Sequence, residues 1–382
     1  MKAIILAAGR GTRMFPLTYT RPKHMLPVAG KPMLEHIVDF LRSADVVDLS
    51  IVVRHMKEHI QDYFSDGSRF NVKIQYIEQT PGNLGLAHAV KCASSVVKDE
   101  DDFIVILGDV LIELDFRQML EQHKSKKARA TIALATVEDP RPFGVVTLNE
   151  DLEIRQLVEK PRVPASNQVI TGLYIFNHDI LEIIDNLKPS WRGEFELTDA
   201  MQKMVEKEGS VYGFPATNWW KDTGRPTDLL DANKKFLSEL PSFFMLGEVQ
   251  KGAELRGTIQ IDRNTVVQED AEIVGPVVIG KDCQIGPGCK IGPYVEIGDK
   301  VQLVENVLLK NSIVMNNSII SNETTIYDSI IGEDCQIGPN CTARGNNTNF
   351  GIVVGDHSTV GPHIHFNPNN TLGPHSRFET KL

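Results

Sequence analysis

The stretch that decides the fold of the second half of the chain is residues 277–298, VVIGKDCQIGPGCKIGPYVEIG. In it a large aliphatic residue returns every six positions, and a glycine follows each one. The same period runs unbroken through Ile261, Val267, Ile273, Ile279, Ile285, Ile291, Ile297 and Leu303. An α-helix has no six-residue period, whereas a parallel β-helix places one large inward side chain on each flat side. The sequence therefore predicts a parallel β-helix over residues 255–382.

Smaller residues support this interpretation, since a small or apolar group stands two positions before the aliphatic one in most hexads. These are Ala271, Val277, Cys283, Cys289, Val295 and Val301. The pattern resembles that of hexapeptide-repeat proteins, which implies a left-handed coil of three hexads. The period slips after about residue 304 and returns at Val354. His357 and His375 are one such coil apart and are expected to stack, as coil decoration or an intersubunit contact rather than a metal site.

Residues 1–240 follow a different pattern, in which short apolar runs alternate with amphipathic segments. Strands are predicted at 3–8, 49–53, 73–78 and 103–107, and helices at 34–41, 84–90, 179–187 and 197–205. Strands separated by helices of this length indicate an α/β domain with a Rossmann-like mixed, mainly parallel sheet and helices on both faces. Residues 241–254 are expected to be a linker to the β-helix.

Composition excludes several classes of protein. Of 382 residues, 41% are hydrophobic and 24% charged, so global disorder is excluded. The formal net charge of −10 argues against broad binding to nucleic acid or an anionic membrane. No apolar run is long enough for a membrane span, and no secretory signal is recognised. Five cysteines without a CxxC motif disfavour disulfides and zinc, and we expect a soluble, reduced, cytoplasmic protein whose four repeat cysteines are buried packing groups.

The first predicted strand leads into the glycine-bearing loop LAAGRGTRM, residues 6–14. Glycines let backbone N–H groups turn toward an anion, and open α/β sheets bind ligands at the carboxyl ends of their strands. The loop is neither a P-loop nor a dinucleotide fingerprint, because GxxxxGK[ST] is absent and Met14 occupies the third glycine's place. Arg13 and Lys23 add two cations, a combination that suits a triphosphate.

The opening GxGTRMxPLTxxxPKxMLPVxGKPML resembles the signature of sugar-1-phosphate nucleotidylyltransferases. Later landmarks of that family follow in order over about residues 2–235: Gln79, Gly85-Leu86-Ala87, Leu107-Gly108-Asp109, Phe143-Gly144-Val145, Glu159-Lys160-Pro161, Thr171-Gly172-Leu173-Tyr174, RGEFELTD at 192–199 and Trp220-Lys221-Asp222-Thr223-Gly224. Glucose-1-phosphate thymidylyl- and uridylyltransferases resemble these stretches most closely. The implied reaction joins a nucleoside triphosphate and a sugar 1-phosphate into a nucleotide sugar, with release of pyrophosphate.

The resemblance also implies roles for individual residues. Asp109 and Asp222 would hold Mg²⁺, although a turn or capping aspartate is the alternative for each. Lys160 would bind the phosphate of the sugar 1-phosphate and act with Arg13 and Lys23 in catalysis by neutralising charge. Glu159 would bind sugar hydroxyls, with backbone contacts from Gly144 and Gly172.

The implied nucleotide-binding residues are Leu6, Ala8, Gly9, Gly11, Thr12, Gln79 and Gly85. The Gln79 amide offers a donor and an acceptor that can pair with uracil or thymine, unless it is an ordinary solvent-facing loop glutamine. This favours UTP or dTTP without excluding adenine. Glucose 1-phosphate is the favoured acceptor, while galactose, glucosamine and N-acetylglucosamine 1-phosphate stay open.

The β-helix leaves three alternatives for the function of the protein. It could serve assembly alone, with a homotrimer through its flat sides favoured. It could add an acetyl-CoA-dependent N-acetyltransferase of amino-sugar 1-phosphates, although no histidine lies between residues 179 and 356 to act as a base. A non-catalytic regulatory paralogue is the third alternative, disfavoured because every expected acidic and basic residue is present.

Overall fold

The computed structural model describes residues 1–82, 84–216, 219–241, 244–346 and 348–379. The chain divides into two compact units. The sheet unit comprises Met1–Arg10 and Leu34–Asp222, and the β-helix unit comprises Gly11–Met33 and Thr223–Leu382. The segment that carries Arg13 and Lys23 thus belongs to the same unit as the β-helix, which the sequence did not predict.

Strands in the first 222 residues are β1 Ala3–Ala7, β2 Pro27–Val28, β3 Lys31–Pro32, β4 Asp48–Val53, β5 Lys73–Glu78, β6 Asp102–Leu107, β7 Val110–Glu113, β8 Ala130–Thr136, β9 Gly144–Leu148, β10 Ile154–Glu159, β11 Gln168–Asn177, β12 Val211–Pro215 and β13 Trp219–Asp222. The α-helices are α1 Met33–Ser43, α2 Lys57–Phe64, α3 Leu86–Cys92, α4 Phe116–Ser125, α5 Asp179–Asp185, α6 Leu197–Glu208 and α7 Pro226–Ser238.

The sheet of the first unit has the strand order β10-β9-β11-β6-β1-β4-β5, with β8 joined to β11 and β12 joined to β8. Strands β6, β1, β4 and β5 are parallel, whereas β11 is antiparallel to β6, β8 and β9. Strand β1 is buried along its whole length and pairs with β4 on one edge and β6 on the other. The predicted mixed α/β fold is confirmed.

The predicted elements of this unit are present with small differences at their ends. Helix α3 begins at Leu86 rather than residue 84, because Gly85 has a φ of 103°, which is incompatible with a helix. Helix α6 begins at Leu197 as predicted. The antiparallel strands between residues 130 and 177 were not predicted individually. No helix in the described residues is both long and apolar enough to span a bilayer.

The β-helix unit contains three parallel sheets, each built from one strand per coil. The first comprises Phe244–Met245, Ile259–Ile261, Val277–Ile279, Val295–Ile297, Ser312–Val314, Ile330–Ile331, Ile352–Val354 and Asn370–Leu372. The second comprises Glu248–Val249, Val266–Val267, Gln284–Ile285, Gln302–Leu303, Ile319–Ile320, Gln336–Ile337, Thr359–Val360 and Arg377–Phe378. The third comprises Glu254–Arg256, Glu272–Val274, Lys290–Ile291, Leu308–Lys310, Thr325–Tyr327, Thr342–Arg344 and His365–Phe366. The predicted left-handed β-helix is confirmed.

Coil length explains why the period slips. Val277 pairs with Val295 eighteen residues later, but Ile313 pairs with Ile330 after seventeen. Ile330 then pairs with Val353 after twenty-three, so the next coil is six residues longer than the one before it. The hexad register is therefore lost after residue 304 and regained beyond the insertion.

The first coil begins earlier than the sequence analysis expected. Phe244–Met245 pairs with Gln260 and Ile261, and Glu248–Val249 pairs with Val266 and Val267. Most of the stretch 241–254 is thus part of the β-helix rather than a linker. Its hexads are harder to recognise because exposed residues such as Met245 and Leu246 stand among them.

The inward positions are occupied as predicted. Cys283, Cys289, Cys335 and Cys341 are all buried free thiols. Burial raises the pKa of the Cys283 thiol to about 11 and that of the Cys335 thiol to about 12. The rings of His357 and His375 stack with centroids 4.8 Å apart, and His357 Nδ1 lies 3.3 Å from Asp334 Oδ2.

Candidate active site

Two aspartates come together at one end of a short antiparallel ribbon in the sheet unit. Strands β7 and β13 pair so that Asp222 lies opposite Val110, and Asp109 is the residue directly before Val110. Both aspartates are half-buried. Mg²⁺ is commonly bound by one or two carboxylates together with phosphate oxygens and water. The donor set of Asp109 and Asp222 therefore fits this ion.

Strand β11 has an irregularity between Ile170 and Tyr174, and this segment contacts the β7–β13 ribbon. Gly172 has a φ of 101°, and a Cβ built on it would lie 2.7 Å from Leu107 Cδ1. The indole N–H of Trp220, in β13, donates to the Thr171 carbonyl at 3.0 Å. Gly172 is therefore needed for packing at the end of β6. Its expected backbone contact to a sugar stays a prediction.

Glu159 lies at the end of β10, where its carboxylate is surrounded by hydrogen-bond donors and cationic groups. Its Oε2 accepts a hydrogen bond from Thr198 Oγ1 at 2.7 Å, and its Oε1 lies 3.3 Å from Lys160 Nζ and 3.7 Å from Arg192 Nη1. A Cβ built on Gly144 would lie 3.3 Å from Glu159 Oε2. The absence of a side chain at Gly144 therefore leaves room for this carboxylate. Lys160 is exposed, so its ammonium group is accessible to an anionic ligand.

Negative charge accumulates around Glu159. Burial, reinforced by Glu159, raises the pKa of Glu196 and of Asp199. Arg192 offsets part of this charge, with Nη1 3.2 Å from Glu196 Oε1 and Nη2 3.2 Å from Glu194 Oε2. Arg192 and Thr198 belong to the RGEFELTD motif, but the sequence does not reveal that they contact Glu159.

Gln79 is buried, with 2% of its surface exposed, so it is not a solvent-facing loop residue. It follows β5, and its Nε2 lies 3.2 Å from the Gly85 carbonyl and 3.2 Å from His88 Nδ1. Both N–H groups of the amide are therefore within reach of acceptors in the protein. The predicted pairing with a base through both a donor and an acceptor is accordingly reduced to acceptance by Oε1. His88 was not identified from the sequence, although its position on the first turn of α3 places it beside the preceding loop.

The backbone around Gly85 leaves no space for a side chain. A Cβ there would lie 2.6 Å from the Phe195 carbonyl oxygen. The Phe195 N–H donates to the Leu84 carbonyl at 2.7 Å, and the Ala87 N–H donates to the Phe195 carbonyl at 3.0 Å. These bonds fix the start of α3 and with it the orientation of His88.

The glycine loop begins in the sheet unit and ends in the β-helix unit. In the sheet unit, Leu6 and Ala8 are buried and Gly9 is exposed, with no atom within 4 Å of a Cβ built on it. The open space at Gly9 allows close approach of a ligand. In the β-helix unit, Gly11 has a φ of 66° and Thr12 is exposed.

The two predicted cations of this segment differ in exposure. Lys23 is 4% exposed, and a Cβ on Gly11 would lie 2.9 Å from its Cβ, so the glycine makes room for the stem of the lysine. Arg13 is exposed, and its guanidinium lies beside Gly224, where a Cβ would be 3.0 Å from Nη1. Thr18 Oγ1 donates to the Gly11 carbonyl at 2.8 Å and closes the turn.

Comparisons with known proteins agree with these features. The profile of the family described as Nucleotidyl transferase matches residues 2–239, and the profile described as GMPPB C-terminal domain matches residues 273–382. The low-salt glycan biosynthesis nucleotidyltransferase Agl11 of Haloferax volcanii is 40% identical over 68% of this chain and 72% of its own length. A glucose-1-phosphate thymidylyltransferase of Streptomyces griseus is 36% identical over 75% of this chain and 79% of its own. The bifunctional protein GlmU of Methanococcus maripaludis is 39% identical over 70% of this chain and 62% of its own.

Solved structures lead to the same conclusion. A putative glucose-1-phosphate thymidylyltransferase from Bacillus anthracis, in complex with a sucrose, is 34% identical with a TM-score of 0.57, covering 61% of this chain and 94% of its own. A UDP-glucose pyrophosphorylase complexed with UDP-glucose is 28% identical with a TM-score of 0.56, covering 63% of this chain and 99% of its own. The chain belongs to the nucleotidyl transferase family. The sequence-based assignment to its sugar-1-phosphate nucleotidyltransferases is confirmed.

Proposed function

We propose that the protein transfers a nucleotidyl group from UTP or dTTP to a sugar 1-phosphate, with glucose 1-phosphate as the favoured acceptor, and depends on Mg²⁺. The observation that carries this proposal is the β7–β13 register, which brings Asp109 and Asp222 to neighbouring positions. Mg²⁺ held there would neutralise phosphate charge and help to align the reacting groups. Relatives named glucose-1-phosphate thymidylyltransferase support the choice of acceptor.

The reaction needs positioning and charge neutralisation rather than a general base. A phosphate oxygen of the sugar 1-phosphate attacks the α-phosphorus, the bond to the β-phosphate bridging oxygen breaks, and pyrophosphate leaves. The attacking oxygen is already ionised at neutral pH. Arg13 and Lys23 would neutralise the triphosphate, and the exposed Lys160 would hold the phosphate of the acceptor.

The orientation of Gln79 supports the proposed preference for uracil or thymine. Since Nε2 lies within hydrogen-bond distance of the Gly85 carbonyl and His88 Nδ1, we expect the amide oxygen to accept from the base. An acceptor at this position suits the N3–H of uracil or thymine. His88 would thus act as a specificity-determining residue through Gln79.

The sugar would be bound by Glu159. Thr198, Lys160 and Arg192 restrict the orientation of its carboxylate, so a hydrogen bond to a sugar hydroxyl would require little reorganisation. The space left by Gly144 gives access to the same carboxylate. This arrangement supports binding of a hexose 1-phosphate.

A second candidate function is supported by the relatives named bifunctional GlmU. In this second candidate, the protein would also N-acetylate an amino-sugar 1-phosphate. If it does not, the β-helix would serve to assemble a homotrimer. The chain matches 62% of the length of that relative.

A substrate matrix tests the proposal. UTP, dTTP, ATP, CTP and GTP would each be mixed with glucose, galactose, glucosamine and N-acetylglucosamine 1-phosphates, with and without Mg²⁺, and pyrophosphate release measured. We expect Mg²⁺-dependent release with UTP or dTTP and glucose 1-phosphate. Activity confined to GTP would contradict the role of Gln79, and no release with any pair would contradict the proposed function. Acetyl-CoA with a thiol reagent tests the second candidate in the same preparation.

A further inference from the structure

The segment that carries Arg13 and Lys23 is bound to the β-helix by an ion pair. Arg21 Nη2 donates to Asp356 Oδ2 and to Glu333 Oε2, each at 2.6 Å. Thr20 Oγ1 also donates to Asp356 Oδ2. These contacts lie within the β-helix unit and join residues more than 300 positions apart in sequence.

This ion pair is buried rather than superficial. The Asp356 side chain is 1% exposed and the Arg21 side chain 14%, while Glu333, at 27%, closes the outer side of the contact. Burial disfavours the charge on Arg21, but the two carboxylates more than offset this, so the pKa of Arg21 is raised. Removing one partner of such a pair leaves a buried charge without compensation, which costs far more than the loss of a surface pair. The contact between Arg21 and Asp356 is therefore a buried structural pair rather than a surface pair.

The two carboxylates are themselves held in place by the stacking of the coils. Asp299, Asn316, Glu333 and Asp356 occupy equivalent corner positions on successive coils. Asn316 Oδ1 accepts from the Asp299 N–H at 2.8 Å, Asn316 Nδ2 donates to Glu333 Oε1 at 3.1 Å, and the Glu333 N–H donates to Asp356 Oδ1 at 2.7 Å. These hydrogen bonds hold the Glu333 and Asp356 carboxylates in place to accept from Arg21.

A second anchor fixes the segment beyond Lys23. The β2–β3 hairpin turns at Ala29 and Gly30, and the Gly30 N–H donates to Glu296 Oε1 at 2.9 Å. The Ala29 N–H donates to Asn233 Oδ1 in α7 at 2.8 Å. Lys23 therefore lies between two attachment points, and residues 20–30 cannot shift without breaking one of them.

We propose that Glu333 and Asp356 are positioning residues for nucleotidyl transfer. Through Arg21 and Thr20 they fix the backbone two residues before Lys23, and so place its ammonium group for the triphosphate. The β-helix then contributes to catalysis in each chain, independently of assembly or acetyl transfer. This inference rests on the proposed function, because Lys23 is assigned to the triphosphate there.

The test compares Asp356→Asn and Glu333→Gln with the exposed control Glu305→Gln. We expect the KM for UTP or dTTP to rise about tenfold in the first two variants, while the KM for the sugar phosphate stays unchanged. Hydrogen exchange of peptides spanning residues 17–33, measured without substrates, should be faster in both variants. The control should match the wild type in every measurement.

A purely structural role would reduce the folded fraction and lower rates with both substrates equally, with no selective change in KM; that result would overturn the inference. Unchanged kinetics and unchanged exchange at residues 17–33 would also overturn it. If Asp356→Asn fails to fold, the test uses Glu333→Gln together with Arg21→Lys and Arg21→Met. Of the two Arg21 variants, only Arg21→Lys should retain a near-normal KM for the nucleotide. Failure of the proposed function would instead appear as an absence of pyrophosphate release in the wild type.

Discussion

The buried carboxyl group of Glu296 allows a quantitative prediction of how the free energy of unfolding depends on pH. Glu296 lies on an outward position of its strand, between Val278 and Ile313 on the adjacent coils, and is 2% exposed. Its Oε2 has no hydrogen-bond partner among the described residues. Burial raises the pKa of Glu296 from 4.5 to about 7, although the backbone N–H groups of Gly30 and Ala29 partly oppose this.

The sign of the effect follows from proton linkage. Because the pKa in the folded protein is raised, the folded protein keeps a proton that the unfolded chain releases between pH 4.5 and about 7. The free energy of unfolding should therefore fall as the pH rises through this range and level off above it. A shift of about 2.5 pKa units corresponds to about 3 kcal/mol.

Glu296→Gln should remove this dependence. Its amide can still accept from Gly30, and it does not ionise. Denaturant unfolding followed by circular dichroism between pH 4 and pH 8 should show the variant gaining about 3 kcal/mol relative to the wild type across the range. The exposed Glu305→Gln is the matched control and should follow the wild type. Parallel profiles for wild type and Glu296→Gln would refute the reasoning.

Three further predictions concern the sheet unit. Asp109→Asn and Asp222→Asn should each lower pyrophosphate release at least about a thousandfold with unchanged circular dichroism, and near-normal activity would remove that residue from the metal site. Burial and Lys91 lower the pKa of His88, so its neutral ring can accept from Gln79 at pH 7. His88→Ala should therefore raise the KM for UTP or dTTP about tenfold. In the wild type this KM should rise only at acidic pH, where the His88 ring becomes protonated. Gly172→Ala should lower the free energy of unfolding by about 2–4 kcal/mol in denaturant titrations, whereas Gly9→Ala should not, and equal effects would contradict the steric argument.

Periodicity predicted the large elements of the fold because they are repetitive or strongly apolar. The hexads fixed the β-helix and its inward cysteines, and the loss of phase after residue 304 is explained by coils of seventeen and twenty-three residues. The start of the β-helix was missed because the apolar residues Phe244, Met245 and Leu246 are consecutive and all exposed, so they do not show the six-residue period. The local sequence pattern does not indicate where one coil ends and the next begins.

The candidate site was predicted in its residues but not in their partners. Resemblance gave Asp109 and Gln79, yet only the tertiary structure shows that Gln79 is buried against His88. The link between Arg21 and Asp356 spans 335 positions and joins two segments with unrelated patterns, so no spacing rule could reveal it. Long-range pairs of this kind depend on the packing of the whole β-helix unit.

The burial of the four repeat cysteines has a practical consequence. Thiols that are enclosed and hard to ionise react slowly with alkylating reagents. The remaining thiol, Cys92, is half-buried, with its Sγ 3.8 Å from His88 Nε2. A maleimide fluorophore should therefore attach selectively at one position without mutagenesis, next to the histidine that orients Gln79, where its emission would report nucleotide binding directly.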